Sequence, residues 1–198
     1  MIRKATNYLY IATILFFLLG FFNMLFAWMG LMCMILPFLL LAKDKSKTWC
    51  HKLCPRAKLF TVLFRGNSIT GRAAPRWLTH GKAKWFVLGY FCVNLFVMAL
   101  STVMVFNGKR DAMEAVRFLI AFQFPWEMPQ LLEFGAMPGW AIHFAFRFYS
   151  MMLTTTVIGI ALGWVYKPRT WCAICPVNTI SSAALKNRKP NQEPEPGV

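Results

Sequence analysis

The sequence contains few acidic residues and few histidines. Its 198 residues include seven Asp and Glu and three His, and no charged residue lies between Tyr8 and Ala42. A soluble domain of this length does not need such long uncharged runs. One histidine, His143, falls within a long apolar run, so a haem held by two histidines of this chain alone is disfavoured. A Gly-Lys-Ser/Thr phosphate-binding motif is also missing, which disfavours a P-loop nucleotide site.

Apolar residues make up 58% of the chain. A bilayer core about 30 Å thick takes roughly 20 helical residues to cross. We therefore predict an all-α, polytopic membrane protein, with a membrane domain over residues 1–186 and a disordered tail over 187–198. The four crossings are predicted at about 8–22, 25–42, 85–106 and 140–166.

The first apolar block fits either one long tilted helix or two short crossings. Basic residues stand at both of its ends, Arg3 and Lys4 before it and Lys43 after it. Since basic residues stay on the cytoplasmic side, the hairpin is favoured. Gly20, Asn23 and Gly30 would then lie near its turn.

The positive charge is concentrated on one predicted side of the membrane. With both termini inside, eighteen Lys and Arg lie on the inner side and four on the outer side. Two cytoplasmic loops, 43–84 and 167–186, carry much of this charge, as expected for a bacterial-type inner membrane protein. No basic stripe interleaved with aromatic residues lies on a soluble element, so nucleic-acid binding is not predicted.

A short motif occurs once in each inner loop. The first copy reads K-S-K-T-W-C-H-K-L-C-P over residues 45–55, and the second reads K-P-R-T-W-C-A-I-C-P over 167–176. Each copy follows a predicted crossing that returns to the cytoplasm, so the two can meet. The candidate ligands are Cys50, Cys54, Cys172 and Cys175.

Four thiolates are the ligand set of a [4Fe–4S] cluster, and proline often follows the last cysteine of such a run. A proline after each pair suits the first turn of a helix, predicted over 56–64 and 177–185. Free N–H groups there, and basic residues nearby, would favour a negative cluster and deprotonated thiolates. A structural Cys₄ zinc site is the alternative. Cys33 and Cys92 lie inside apolar runs and are not predicted as ligands.

With Trp49, Pro55, Trp171 and Pro176, these cysteines resemble the motifs of the NapH/NosR-type membrane iron–sulfur proteins. That resemblance implies one [4Fe–4S] cluster and quinol-linked or periplasm-directed electron transfer. Two features depart from the family: the second pair is one residue shorter, and the additional ferredoxin-like cysteine runs of many members are missing.

His143 and Arg147 lie four residues apart on the last predicted crossing, so they share a helix face. Ionisable residues in a membrane helix are functional candidates, here for a quinone head or a partner contact. Interfacial anchoring of Arg147 is the alternative.

The functional prediction is a non-catalytic redox subunit of an oxidoreductase complex. Its cluster at the cytoplasmic face would exchange electrons with a quinone, a flavin or another cluster in a partner subunit. The alternative is a structural or assembly membrane protein clamped by zinc.

Overall fold

The computed structural model describes residues 8–64, 71–72, 74–79, 81–112, 115–118, 122–123 and 138–188. Within them the chain is almost entirely helical. The helices are α1 (Leu9–Phe22), α2 (Met29–Asp44), α3 (Pro55–Leu63), α4 (Arg76–Thr79), α5 (Ala83–Phe106), α6 (Gly139–Val165), α7 (Thr170–Ile174) and α8 (Pro176–Arg188).

The first apolar block forms two helices, because the backbone leaves the helical region at Asn23 (φ −156°, ψ 128°). The Asn23 side chain accepts a hydrogen bond from the Leu25 N–H at 2.8 Å, and a 3₁₀ helix, Met24–Trp28, leads into α2. Gly20 and Gly30 are not turn residues. Each is helical and faces an aromatic ring of α6 that a side chain in its place would meet.

Three of the helical segments are long and apolar enough to cross a membrane: Met24–Asp44, Ala83–Phe106 and Gly139–Val165. They fall within two residues of predicted crossings. Helix α1 has 14 residues, or about 21 Å at 1.5 Å per residue, which is shorter than the bilayer core. The fourth crossing therefore stays a prediction.

Helix α6 is the centre of the fold. Half of its most apolar window is buried, against 11% for α5. It packs against the 3₁₀ helix, α3, α5 and α7. Along α5, large apolar side chains such as Phe86 and Phe96 are 77% and 65% exposed, as expected for a surface that faces lipid.

Two glycines let α3 lie close to the C-terminal half of α6. A Cβ atom at Gly159 would meet the Phe60 ring, and one at Gly163 would meet the Phe64 ring. Phe60 is fully buried and packs with Trp171 and Ile174. The first cysteine loop and the second are thus joined through α6 by one apolar cluster.

A short β-ladder interrupts the all-α prediction. Arg117–Phe118 pairs antiparallel with Phe122–Gln123, and the Arg117 N–H donates to the Ser150 hydroxyl of α6 at 3.0 Å. At the other end of the chain, α8 continues to Arg188. The predicted disordered tail beyond it lies outside the described residues.

The Gly159–Phe60 contact yields a prediction for stability. Gly159→Val should lower the free energy of unfolding by about 1–3 kcal/mol, because the new side chain would displace the Phe60 ring from its packing with Trp171 and Ile174. Thermal unfolding in detergent, followed by circular dichroism, measures the change. Gly89→Val is the matched control, since a Cβ there meets nothing within 4 Å. Equal effects of the two substitutions would contradict the close packing.

Candidate metal centre

The first cysteine pair lies on a π-helical turn. After α2, Lys45 takes the left-handed conformation (φ 51°), and Trp49–Leu53 forms a turn of π geometry. The Cys54 N–H donates to the Trp49 carbonyl, five residues earlier, at 2.8 Å. Such wide turns hold one more residue than an α-helical turn and are frequent at functional sites.

The second pair lies on an ordinary α-helical turn, α7. Cys172 is within α7, and Cys175 follows its end in an extended conformation (φ −57°, ψ 131°). Cys54 has nearly the same conformation (φ −66°, ψ 112°). The one-residue difference between the pairs is therefore absorbed inside the turns, and both pairs leave their turns with the same backbone geometry.

A proline begins a helix directly after each pair, as predicted. Pro55 opens α3 and Pro176 opens α8. Proline suits this position because its missing N–H would have no helical partner there. The other N–H groups of each first turn point back towards the cysteines, and they carry partial positive charge.

The four cysteines line one cavity of about 390 Å³. They reach it from loops more than 110 residues apart, together with the indole of each motif, Trp49 and Trp171. All four are half-buried free thiols. The predicted meeting of the two loops is thus what the structure shows.

The four thiols that line the cavity are the donor set of a [4Fe–4S] cluster, in which each cysteine binds a different iron atom. A structural zinc ion would use the same four thiolates, with Zn–S bonds of about 2.3 Å. In the described part of the chain, no three His, Cys, Asp or Glu side chains are already grouped to hold a metal ion.

Burial has the largest effect on the pKa of the cysteine thiols. It raises the pKa of Cys50 to about 11 and that of Cys172 to about 12, and the neighbouring cysteines add to both increases. It also raises the pKa of Cys175, against the opposing charge of Arg56. The basic residues act in the expected direction, since Arg169 lowers the pKa of Cys50 and Cys172 and Arg56 lowers that of Cys175, but burial outweighs them. Because a metal binds the thiolate form, loading of the site would release protons.

The site lies beside the middle of α6 rather than beyond its C-terminal end. Arg56, in the first turn of α3, donates from Nη1 to the Thr155 hydroxyl at 2.9 Å and contacts the Met152 sulfur through Nη2. Thr155 is ten residues before Val165, or about 15 Å along the helix. Apolar residues of both loops pack near the C-terminal half of α6, where Phe60 contacts Gly159 and also packs with Trp171.

Other side chains fix the two turns and were not predicted from the sequence. Asn178 donates from Nδ2 to the Cys172 carbonyl at 3.0 Å, which ties the start of α8 to α7. Lys47 donates to the Ser182 hydroxyl at 2.9 Å and so links the first motif to α8. Asn and Ser at these positions have no signal of their own in a single sequence.

His143 and Arg147 do not belong to this site, because neither lines the cysteine cavity. His143 is 2% exposed, and its Nε2 lies 3.0 Å from the Ser101 hydroxyl of α5. Their predicted role towards a quinone or a partner is untested. Of the remaining cysteines, Cys33 lines the cavity, and Cys92 is exposed on α5 and does not.

Two segments of the chain, residues 26–73 and 149–191, match a family model described as a 4Fe-4S binding domain. Each matched segment contains one cysteine pair and the helix after it. The match supports an iron–sulfur protein. No curated protein and no solved structure matches the chain.

The geometry predicts which cysteines are needed for metal loading. Cys50→Ser, Cys54→Ser, Cys172→Ser and Cys175→Ser should each reduce iron and acid-labile sulfide well below the value of about four each per wild-type chain expected for one cluster. Iron and sulfide assays on anaerobically purified protein measure the loss. Cys92→Ser, outside the cavity, is the control and should keep full loading. Unchanged iron in any of the four variants would remove that residue from the ligand set.

Proposed function

We propose that this chain is a membrane electron-transfer subunit that holds one [4Fe–4S] cluster through Cys50, Cys54, Cys172 and Cys175. The observation that carries the proposal is the cavity that these four thiols line together. A cluster bound there would supply one-electron transfer at a fixed point in the bundle. The resemblance to the NapH/NosR-type proteins supports the same function.

The protein's own groups would bind and tune the cluster. The two turns present the cysteines, and the first turns of α3 and α8 direct partial positive charge at them. Arg56 adds a full positive charge beside the cavity, held by neutral groups. Together these charges would compensate the negative cluster and make its reduction easier.

We further propose that the cysteine loops lie on the cytoplasmic side of a bacterial-type inner membrane. The excess of Lys and Arg beside the inner ends of the crossings supports this orientation. The exposed apolar surface of α5 supports contact with the lipid bilayer.

A partner with a further redox cofactor is also part of the proposal. Sixteen residues separate Thr155 from the outer start of α6 at Gly139, which corresponds to about 24 Å. The two segments that match the 4Fe-4S family model contain one cysteine pair each, and two pairs supply the four ligands of one cluster. Electrons that cross the membrane would therefore need a cofactor from another redox subunit.

The test of this function is a redox titration of the anaerobically purified full chain. Electron paramagnetic resonance spectra recorded during stepwise reduction should show a signal that appears and disappears reversibly in a one-electron step. Iron without a reversible signal would leave a structural cluster and overturn electron transfer. Zinc in place of iron would make the protein a clamped scaffold.

Arg56 provides a more specific prediction about the reduction potential of the proposed cluster. Arg56→Gln should lower the reduction potential by on the order of 60 mV, the one-electron equivalent of about 1.4 kcal/mol, because a positive charge near the reduced cluster is lost. The same titration measures the shift, with iron content checked in parallel. Arg56→Lys keeps the charge and should shift the potential less. Equal potentials for the Gln variant and the wild type would show that Arg56 has only a packing role.

A further inference from the structure

Three arginines form a group of positive charges near the half of α6 that begins at Gly139. Arg147 lies on α6, Arg117 opens the β-ladder, and Arg110 lies just beyond the end of α5. The positive charges of Arg117 and Arg110 both act on the Arg147 guanidinium. Charges of the same sign repel one another, most strongly where little water screens them. An anion between these arginines would therefore stabilise the folded chain.

The β-ladder brings Arg117 deep against the side of α6. The Arg117 N–H donates to the Ser150 hydroxyl at 3.0 Å, and Ser150 is eleven residues, or about 16 Å, from the start of α6 at Gly139. Val116, the neighbour of Arg117, is 2% exposed and belongs to the same apolar cluster as Tyr149. Non-helical backbone at such a depth is tolerated in a membrane bundle where it is buried in protein or lines a polar cavity.

Two buried atoms of these arginines have no hydrogen-bond acceptor. The Nε atoms of Arg117 and Arg147 are both buried, and neither has a hydrogen-bond partner in the part of the chain that the structure describes. Arg56, the cation beside the cysteine cavity, differs from them because it donates to the Thr155 hydroxyl. A buried charged donor without an acceptor destabilises the fold. A ligand that supplies acceptor oxygens would remove this cost.

Neighbouring polar side chains do not supply the missing acceptors. The ring of His143 is engaged by α5, since its Nε2 lies 3.0 Å from the Ser101 hydroxyl. Of the acidic residues that the structure describes, Asp44 ends α2 beside the cysteine loops, and Asp111 is exposed. Neither carboxylate accepts a hydrogen bond from the two buried Nε atoms.

We propose that Arg110, Arg117 and Arg147 bind a phosphate group, carried by a lipid or present as the free ion. A guanidinium is planar, and its paired N–H donors match two oxygens of one anion. One guanidinium satisfies the two oxygens of a carboxylate, whereas a phosphate has enough oxygens and charge for several. The bound phosphate would join the β-ladder to α6. None of the three arginines lines the cysteine cavity, so the site goes beyond the proposed function and does not depend on it.

The position of the arginines along α6 suits a phosphate at the membrane surface. Helix α6 has 27 residues, or about 40 Å, which is roughly the thickness of a bilayer with its headgroups. Arg147 is eight residues from Gly139, and long helical side chains lean towards the N-terminus of their helix. We therefore expect its guanidinium close to headgroup level, which lipid phosphates occupy and a phosphate ion reaches from water.

The first experiment is isothermal titration calorimetry of the delipidated full chain in detergent at fixed ionic strength. The two probes are inorganic phosphate and dihexanoyl phosphatidylglycerol. Arg117→Gln and Arg147→Gln should each weaken binding at least tenfold, because each variant loses one guanidinium, and Arg147→Lys should bind with intermediate affinity. Lys109→Gln removes the same charge from an exposed position and should bind as the wild type does. An equal loss in the Lys109 variant would show a general charge effect and overturn the site.

The two probes distinguish the sources of the phosphate group. Tighter binding of the lipid identifies a headgroup site, and binding of the ion that is equal or tighter identifies a site for free phosphate. Either result supports the proposal if it depends on Arg117 and Arg147. If neither probe binds the delipidated chain, the inference fails.

An acidic side chain of the same chain is the competing partner for these arginines. Glu114, Glu127 and Glu133 lie between Arg110 and Arg147 in the sequence and outside the described residues. If the wild type binds neither probe but the variant with all three changed to Gln does, the arginines are paired internally and the proposal is overturned.

Thermal unfolding gives a second measurement that does not depend on the heat of binding. The tighter probe should raise the melting temperature of the wild type, because a ligand that binds only the folded state stabilises it. Arg147→Met should remove this increase, whereas Lys109→Gln should keep it. An increase of the same size in the Arg147 variant would exclude that residue from the site.

Discussion

The close approach of α3 to α6 is the contact on which the rest of this structure depends. It is possible because Gly159 and Gly163 leave no side chain between the two helices, so the rings of Phe60 and Phe64 reach the α6 backbone. The Phe60 ring also meets Trp171 and Ile174 of the second loop. The Phe60 ring thus holds together two segments that are more than 100 residues apart. The cysteine pairs beside these segments therefore come to the same cavity.

A returning segment inside a helical bundle must satisfy its polar groups without water. The two motifs do so in similar ways. Each turn is closed by backbone hydrogen bonds, each exit is an extended cysteine, and each following helix begins with proline, which has no N–H to satisfy. The Arg56 guanidinium is the group that costs most free energy to bury. Thr155 and Met152 of α6 provide its contacts. A cation at this place is understandable if a negative cluster occupies the neighbouring cavity.

Burial raises the pKa of the Cys50, Cys172 and Cys175 thiols. Positive charge therefore has two separate effects at this site, one on the pKa of the thiols and one on a bound cluster. Positive charge near the site was expected both to deprotonate the cysteines and to stabilise the cluster. In the structure, burial affects the pKa of the thiols more than the positive charge does. The proposed metal itself would therefore have to displace the protons. The charge then acts on the bound cluster, where it affects the potential.

The sequence by itself determined the elements and the ligand candidates. Uncharged runs of sufficient length predict the long helices within two residues, because charge is costly to bury in lipid and a crossing needs about 20 apolar residues. The repeated Thr-Trp-Cys…Cys-Pro motif identifies the four cysteines and the helices after them, because proline at N1 is a local rule. Only the tertiary structure decided how deep the site lies, that a π-helical turn absorbs the extra residue, and that Cys33 shares a cavity with the cysteines. These features depend on contacts between segments distant in the chain, such as Gly159 with Phe60, and no local pattern encodes such contacts.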